Sequence, residues 1–415
     1  MADMPTRIVA SLFCLAVGVA SGADRQTKAL ARADLPPLHV ETDGRYVQAN
    51  VPASSPDVLE LPLHQPRILK LDLTRDPNDI WDRIRRGFAM IDLDSDLVIE
   101  QQLFYLQRPN FLKQVFERGA RYLYHIVDEL ERRGLPTELA LLPMVESNYN
   151  PLAYSRAHAS GLWQFIPSTG RNFNLTQDKW VDERRDVVAS TSAALDYLEH
   201  IYEMHGDWHL ALASYNWGEG AVGRAIRRNL EAGQPAEYSH LQMPAETRKY
   251  IPKLQALKNI VARPELFDFE LPHVSNYRHF VSVEAPRGLD LATAAEMAEM
   301  PLDEFVALNP GFKRPIVAYT GLSFAIPVDR IGLFTERLGQ VDQSERDWKT
   351  YRIQRGDTLS GIAGKFGIPI GALRQANGLT NSSRIRAGDT LVVPDGSLPL
   401  ETRLPAATTR RALPR

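Results

Sequence analysis

Glu146 is the carboxylate of this chain best placed for proton chemistry. It lies in the stretch PTELALLPMVESN, Pro136 to Asn148. Read as a helix, this stretch puts Leu139, Leu142, Pro143 and Glu146 at i, i+3, i+4 and i+7 on one face. The opposite face carries Ala140, Leu141, Met144 and Val145. A helix that is apolar all round is a buried helix, so Glu146 is a carboxylate near the end of a buried element. Desolvation then raises its pKa, which suits a general acid at neutral pH. Spacing alone leaves a second reading open, a buried Glu satisfied by an Arg or by backbone amides. Glu138 differs, because it falls in the first helical turn, where the helix dipole favours an acid for structural reasons.

Hydrolysis of a glycoside usually uses two carboxylates. From Ser147 to Gln177 there is no Asp or Glu. The segment expected to line a cleft beside Glu146 is uncharged in that sense. This favours a one-carboxylate mechanism assisted by the substrate's own N-acetyl group, while Asp182, Glu183, Asp186 and Glu219 remain residues that the fold could bring in. His205 and His209 are four apart, a spacing that could suit a metal on one helix. Gly206 and Asp207 lie between them and no ligand set is adjacent, so no metal site is read there.

Several elements must position these groups. From Asn78 to about Phe267 the pattern is helical. Ile80, Ile84, Phe88 and Ile91 recur at spacings of four, four and three, and a helix is expected from Phe111 to Arg133, closed by Gly134, with Pro136 starting the next. Gly161, Pro167 and Gly170 punctuate short helices. A further helix runs from about Asp186 to Met204, and Gly206-Asp207 form a turn before another.

The C-terminal third holds an internal repeat. Leu359, Ile362, Ala363 and Phe366, followed by Pro369, Leu373 and Asn377, match Leu291, Ala294, Ala295 and Ala298, followed by Pro301, Phe305 and Asn309. Each pair is 68 residues apart. The endings Leu391 to Pro394 and Phe324 to Pro327 fall within one residue of that register. A β-rich run precedes each helix, Tyr351 to Ile353 and Phe280 to Val283. Each copy therefore reads strand, helix, helix, strand.

The chain has 415 residues, 44% hydrophobic and 24% charged, with net charge −3. This is the composition of an ordinary globular chain of two or three domains. It lacks the basic surplus of a nucleic-acid binder, so no nucleic-acid partner is expected. At the start, Arg7, the apolar run Ile8 to Ala20 and the small residues Ser21, Gly22 and Ala23 read as an export signal. That run is too short to span a bilayer unaided, and a retained anchor stays open as the alternative. Cys14 is the only cysteine. Leu12 and Phe13 precede it where a lipoprotein signal would want small residues. The mature chain then has no cysteine, which fits an oxidising compartment entered without a disulfide framework. Residues 24–76 read as an irregular arm, and 396–415 as a disordered tail.

The ordered runs ELALLPMVESNYNP (Glu138 to Pro151), GLWQFIPSTG (Gly161 to Gly170), ALASYNWGEGAVGRA (Ala211 to Ala225) and ETRKYIPKL (Glu246 to Leu254) resemble the soluble-lytic-transglycosylase family. Four motifs in order are far more specific than one short motif. The resemblance covers about residues 78–395. It implies a lysozyme-like helical domain that cleaves the β-1,4 bond between N-acetylmuramic acid and N-acetylglucosamine, leaving 1,6-anhydro ends. Glu146 matches the family's single acid/base. Ser155 matches a serine that contacts the acid or the sugar, and Gln164 a glutamine that binds an N-acetyl group. Tyr215 and Asn216 match the family's Tyr-Asn pair, and Tyr250 a cleft tyrosine. Trp217-Gly218 stands where many members have a small residue. Trp163 and Trp217 read as core anchors rather than sugar platforms. No metal or cofactor is implied.

The run Tyr351 to Pro394 resembles a LysM domain, a small βααβ module that binds glycan containing N-acetylglucosamine. The resemblance lines its groove with Gly356, Asp357, Thr358 and Leu359 and with the loop from Asn377 to Ile385. Asp357 and Thr358 also suit a helix N-cap. The upstream copy keeps Gly288 but has Leu289-Asp290 in place of Asp357-Thr358, and reads as a degenerate unit used more for packing than for binding. The fold expected is thus α+β and multidomain: a signal over 1–23, a mainly α lysozyme-like domain over 77–270, a degenerate βααβ LysM-like repeat over 276–330 and an intact LysM module over 349–395. The expected partner is peptidoglycan glycan, acted on by a monomer in the periplasm or envelope of a Gram-negative bacterium. Peripheral membrane association stays open.

Overall fold

The computed structural model describes residues 78–340, 348–379 and 384–394. The expected signal, arm and tail lie outside the described residues. Helices α1 (Ile80–Arg86), α2 (Asp96–Leu106), α3 (Pro109–Arg133), α4 (Leu142–Ser147), α5 (Pro167–Asn172), α6 (Val187–His205), α7 (Trp208–Trp217), α8 (Glu219–Glu231) and α9 (Ala245–Ala262) build the first part. Two small βααβ units follow: β1 (Phe280–Glu284), α10 (Leu291–Met297), α11 (Leu302–Leu308) and β2 (Ser323–Pro327), then, after α12 (Ile331–Gln340), β3 (Trp348–Arg352), α13 (Leu359–Lys365), α14 (Ile370–Ala376) and β4 (Thr390–Pro394). Each unit closes on a two-stranded antiparallel sheet, β1 with β2 and β3 with β4. Among the described residues no helix is long and apolar enough to cross a membrane.

Helix α3 is the spine of the helical part. Leu112, Val115, Phe116, Gly119, Tyr122, Leu123, Ile126, Val127 and Leu130 are buried along one stripe, the period of an amphipathic helix. It begins two residues before the expected Phe111. Helix α1 is shorter than its apolar spacing suggests. It ends at Arg86, and Ile91 is 79% exposed while Ile80 and Ile84 are fully buried. Gly87 makes the turn there, and its amide donates to Ile84 O. Asp186 and Asp207 cap α6 and α7, accepting from Ala189 N and Leu210 N. Capping by a side-chain carboxylate satisfies amides that the first helical turn leaves free.

The stretch that carries Glu146 departs from a single helix. Thr137–Leu141 is a 3₁₀ turn and only Leu142–Ser147 is α-helical. Pro143 explains the break. An α-helix running from Thr137 through Glu146 would need an N–H at Pro143, and its ring would meet the carbonyl of Leu139. With Pro143 at the helix start, the missing donor costs nothing. The surroundings stay apolar on every side: Leu139, Ala140, Leu141 and Leu142 are all fully buried.

The two βααβ units share one polar knot. Asn309 Nδ2 donates to Phe305 O (3.0 Å) and Ala325 O (3.1 Å), and its Oδ1 accepts from Ala325 N (2.7 Å). Asn377 does the same with Leu373 O (2.8 Å), Val392 O (2.8 Å) and Val392 N (2.7 Å). Each Asn ties the end of the second helix to the closing strand.

Candidate active site

Glu146 sits in the last turn of α4, and the chain leaves that helix abruptly. Asn148 and Tyr149 both take left-handed backbone, φ 52° and 54°. Their amides close the helix end on Met144 O and Pro143 O. Tyr149 is driven into the core, where its hydroxyl donates to Ala140 O (2.8 Å). Gly119 of α3 makes room for it, since a Cβ there would lie 2.9 Å from the Tyr149 ring. The carboxyl one turn earlier is thereby fixed at the floor of a cleft.

That cleft is lined by Val145, Glu146, Ala157, Ala159, Gln164, Phe165, Ile166, Thr169, Tyr197, Tyr215, Asn216, Gly218, Glu246, Tyr250 and Lys253. Glu146 is half-buried, with its open side toward this space. The Tyr250 hydroxyl donates a hydrogen bond to Glu146 Oε1. Burial raises the Glu146 pKa to about 7, against the lowering influence of Tyr250 and Lys253. A carboxyl that titrates near neutrality can both release and recover a proton at neutral pH. Burial first, and the neighbouring Glu146 carboxylate next, push the phenols of Tyr215 and Tyr250 well above their usual range. Both therefore stay neutral hydrogen-bond donors.

Helix α9 brings Tyr250 to this point despite Pro252 in its interior. Pro252 cannot donate to Arg248 O. The Tyr238 hydroxyl fills that carbonyl at 2.8 Å, so no buried acceptor is left unpaired. Buried Lys258, lower on the same helix, pairs with Glu138 (3.5 Å). Glu138 also accepts from Ala89 N and Met90 N. It joins the segment after α1, at Ala89 and Met90, to the 3₁₀ turn and α9, a larger structural role than a dipole partner.

The structure gathers Glu146, Gln164, Tyr215, Asn216 and Tyr250 in one cleft. Gln164 has φ 49°, and its Nε2 donates to Gly161 O (2.8 Å) and Ala153 O (3.3 Å). The Tyr215 hydroxyl donates to Trp163 O (2.8 Å), and Asn216 Oδ1 accepts from Thr247 Oγ1 (2.8 Å). Ser155 is not in the cleft lining. It is buried, and its Oγ accepts from Ala159 N (3.0 Å), bracing the turn below the wall. Trp163 is fully buried with Nε1 on Thr191 Oγ1 (3.0 Å), a core anchor.

Asp182, Glu183, Asp186 and Glu219 stay out of the cleft. Asp182 pairs with Arg184, Glu183 accepts from Thr176 N, Asp186 caps α6, and Glu219 accepts from the Tyr197 hydroxyl. A different carboxylate arrives instead. Glu246 lines the cleft together with Lys253, and burial raises its pKa. Sequence reasoning missed both. The signal was present, because Glu246, Tyr250 and Lys253 follow at i, i+4 and i+7 on one face of α9. This adds a carboxylate from outside the run Ser147 to Gln177, which itself contributes none.

His205 and His209 do not converge. Their Nε2 atoms meet Ser214 Oγ (2.9 Å) and Ile91 O (3.0 Å). Among the described residues no three His, Cys, Asp or Glu side chains are grouped to hold a metal.

In the last βααβ unit, Gly356, Asp357 and Thr358 form an accessible edge, while residues 380–383 of the facing loop lie outside the described residues. Thr358 caps α13 through Gly361 N (3.0 Å), and Asp357 accepts from Gln354 N (2.7 Å) and Tyr351 OH (2.8 Å). Two groove expectations need correction. Asn377 is buried with its amide spent on the polar knot, and Leu359 is a core residue. Ile385 is partly covered by the same core.

Comparison with known proteins matches residues 124–236 to the Transglycosylase SLT domain, 279–343 to the lytic transglycosylase MltD LysM-like domain and 351–394 to the LysM domain. Membrane-bound lytic murein transglycosylase D of Escherichia coli strain K12 is 35% identical over 332 residues, covering 77% of this chain and 73% of that protein. Its counterpart in Escherichia coli O6:H1 matches equally. Membrane-bound lytic murein transglycosylase C of Glaesserella parasuis serovar 5 is 32% identical over 136 residues, 29% of this chain and 37% of that protein.

Proposed function

The chain belongs to the SLT-domain lytic transglycosylases and acts on peptidoglycan; from that premise we propose that Glu146 alone serves as acid and then as base. The observation that carries this is its carboxyl on the cleft floor, held by the Tyr250 hydroxyl and titrating at about 7. Protonated Glu146 gives its proton to the glycosidic oxygen of the β-1,4 bond between N-acetylmuramic acid and N-acetylglucosamine. The bond from that oxygen to the muramoyl C1 breaks, and the muramoyl N-acetyl group stabilises the charge left behind. The Glu146 carboxylate then takes the proton of the C6 hydroxyl, whose oxygen closes on C1 as a 1,6-anhydro ring. No water is consumed and Glu146 ends as it began.

The other cleft residues support this path. Gln164 and Asn216 line the cleft, the match of Gln164 to the family's glutamine supports an N-acetyl contact for it, and Tyr215 and Tyr250 remain neutral donors beside the acid. Gly356, Asp357 and Thr358 offer the LysM edge to glycan and would hold the enzyme on the wall. Residues 77–270 act as the catalytic domain, 276–330 and 349–395 as the two LysM-type units. Relatives named as membrane-bound murein enzymes, together with the export signal read at the N-terminus, support a site of action in the envelope, on the periplasmic side.

One observation favours a second reading, hydrolysis by a muramidase. Glu246 supplies a second carboxylate in the cleft, and two carboxylates are what hydrolysis uses. Mass spectrometry of digested sacculi separates the two. Anhydro ends support the lyase, and ends heavier by one water refute it. Glu146→Gln should abolish cleavage and leave sacculus binding intact.

A further inference from the structure

The first βααβ unit is docked on the helical part so closely that the two share a core. Phe280, Leu308 and Ala325 belong to the helical core, while Trp180 and Val181, from the loop before α6, are buried in the core of the unit. The backbone repeats the link. Lys313 N donates to Trp180 O (2.8 Å), Asp182 N donates to Gly311 O (2.8 Å), and Val181 pairs with Phe312.

The same unit has no open groove where its partner copy has an accessible edge. Residues 288–291 stand 68 positions before 356–359. In the first unit Gly288 N donates to Val317 O (2.8 Å), Val317 N to Leu289 O (2.9 Å) and Leu291 N to Pro315 O (2.7 Å). This edge is spent on its own chain.

From Asp182 the link continues to the cleft. Arg184 and Asp182 are both buried, and Nε and Nη2 of Arg184 each donate to Asp182 at 2.8 Å. Arg184 Nη1 donates to His158 O (2.7 Å) and Phe165 O (3.0 Å), the two ends of the cleft wall. Inside that wall a Cβ on Gly161 would lie 1.7 Å from Arg184 O, at φ 87°, so backbone touches backbone. Gln164 hangs on Gly161 O.

We infer that the first βααβ unit is a buttress of the cleft wall rather than a glycan-binding module, and that Arg184 is the positioning residue through which it holds Gln164. The inference rests on the reading of Gln164 as an N-acetyl contact. A planar guanidinium can serve one carboxylate and two carbonyls at once; an ammonium cannot.

The test is a double-mutant cycle on the full chain with soluble glycan strands. Arg184→Lys should raise KM about tenfold and leave kcat within about twofold, the signature of lost binding. In a Gln164→Ala background the same substitution should add nothing. Trp180→Ala, remote from the cleft, should show the same pattern and carries the test if Arg184→Lys does not fold. Additive effects, or a loss confined to kcat, overturn the inference. Separately, titrating the Glu146→Gln chain with N-acetylglucosamine oligomers should leave the amide NMR signals of 288–291, Ile316 and Val317 unmoved; shifts there overturn it. A wild-type chain that releases no glycan would instead overturn the catalytic reading.

Discussion

Glu146→Gln should make the protein more stable at alkaline pH and change little at acid pH. The substitution keeps the shape of the side chain and an oxygen for the Tyr250 hydroxyl, and removes only the ionisation. Burial outweighs Tyr250 and Lys253 and lifts the folded carboxyl from its ordinary 4.5 to about 7. Below pH 4.5 both the folded and the unfolded chain hold the proton, and ionisation contributes nothing to the balance. Between 4.5 and 7 the unfolded chain releases it first, so stability is lost as pH rises through the folded pKa. Above 7 the loss is complete and amounts to roughly 3 kcal/mol, an upper bound because water reaches the open side of the carboxyl. The glutamine never incurs it. Its other effects, such as an imperfectly bonded amide, are common to both pH values and cancel in the comparison. Thermal unfolding of both proteins at pH 4 and pH 8 reads the difference. The gap in midpoint between variant and wild type should widen by roughly 5–10 °C from pH 4 to pH 8. A gap that is constant with pH, or that shrinks, would refute burial as the source of the raised pKa.

Two further perturbations bear on the same structure. Tyr250→Phe removes a hydroxyl that favours the ionised carboxyl, so the alkaline limb of kcat/KM should move up by about one to two pH units; a limb that stays near 7 or falls would show that the hydroxyl does not act on the carboxylate. Ending the chain after Ser344 should weaken retention on sacculi and leave cleavage of soluble strands near the wild-type rate, whereas equal pull-down of both forms would count against a binding role for the last unit. A modest loss of melting temperature is expected in the truncated form, because Ala376 and Val392 pack into the core of the first βααβ unit.

The helices and the repeated units were legible because their signals are local. The stripe of α3 and the 68-residue register are both visible in residue spacing, and the four motifs gathered the residues now found in one cleft. What was not legible depends on partners far away in sequence. Glu246 and Lys253 share a face with Tyr250, but only the packing of α9 across α4 decides that this face is the one the cleft uses. Asn377 reads as a groove residue from the resemblance to a LysM domain; the carbonyl and amide of Val392 that hold it lie 15 residues on. Pro143 was counted as an apolar position of a continuous helix. Its missing N–H turned the first half of that stretch into a 3₁₀ turn. Ser155 has a local engagement that spacing does not announce, its Oγ accepting from Ala159 N.

The twin asparagine knots, Asn309 and Asn377, mark which parts of the two units can change separately. Both copies keep the knot, the paired strands and the helix cap, with Asp290 in the first doing what Thr358 does in the second. The edges diverge around that frame, the first closed by 288–291 on 315–317 and the second with Gly356, Asp357 and Thr358 accessible. An engineer could therefore transplant the edge of the second unit into the first, Leu289 and residues 315–317 together, without disturbing the frame. On the proposed reading of the second unit as a glycan binder, the chain would then carry a second foothold at a fixed distance from its own cleft.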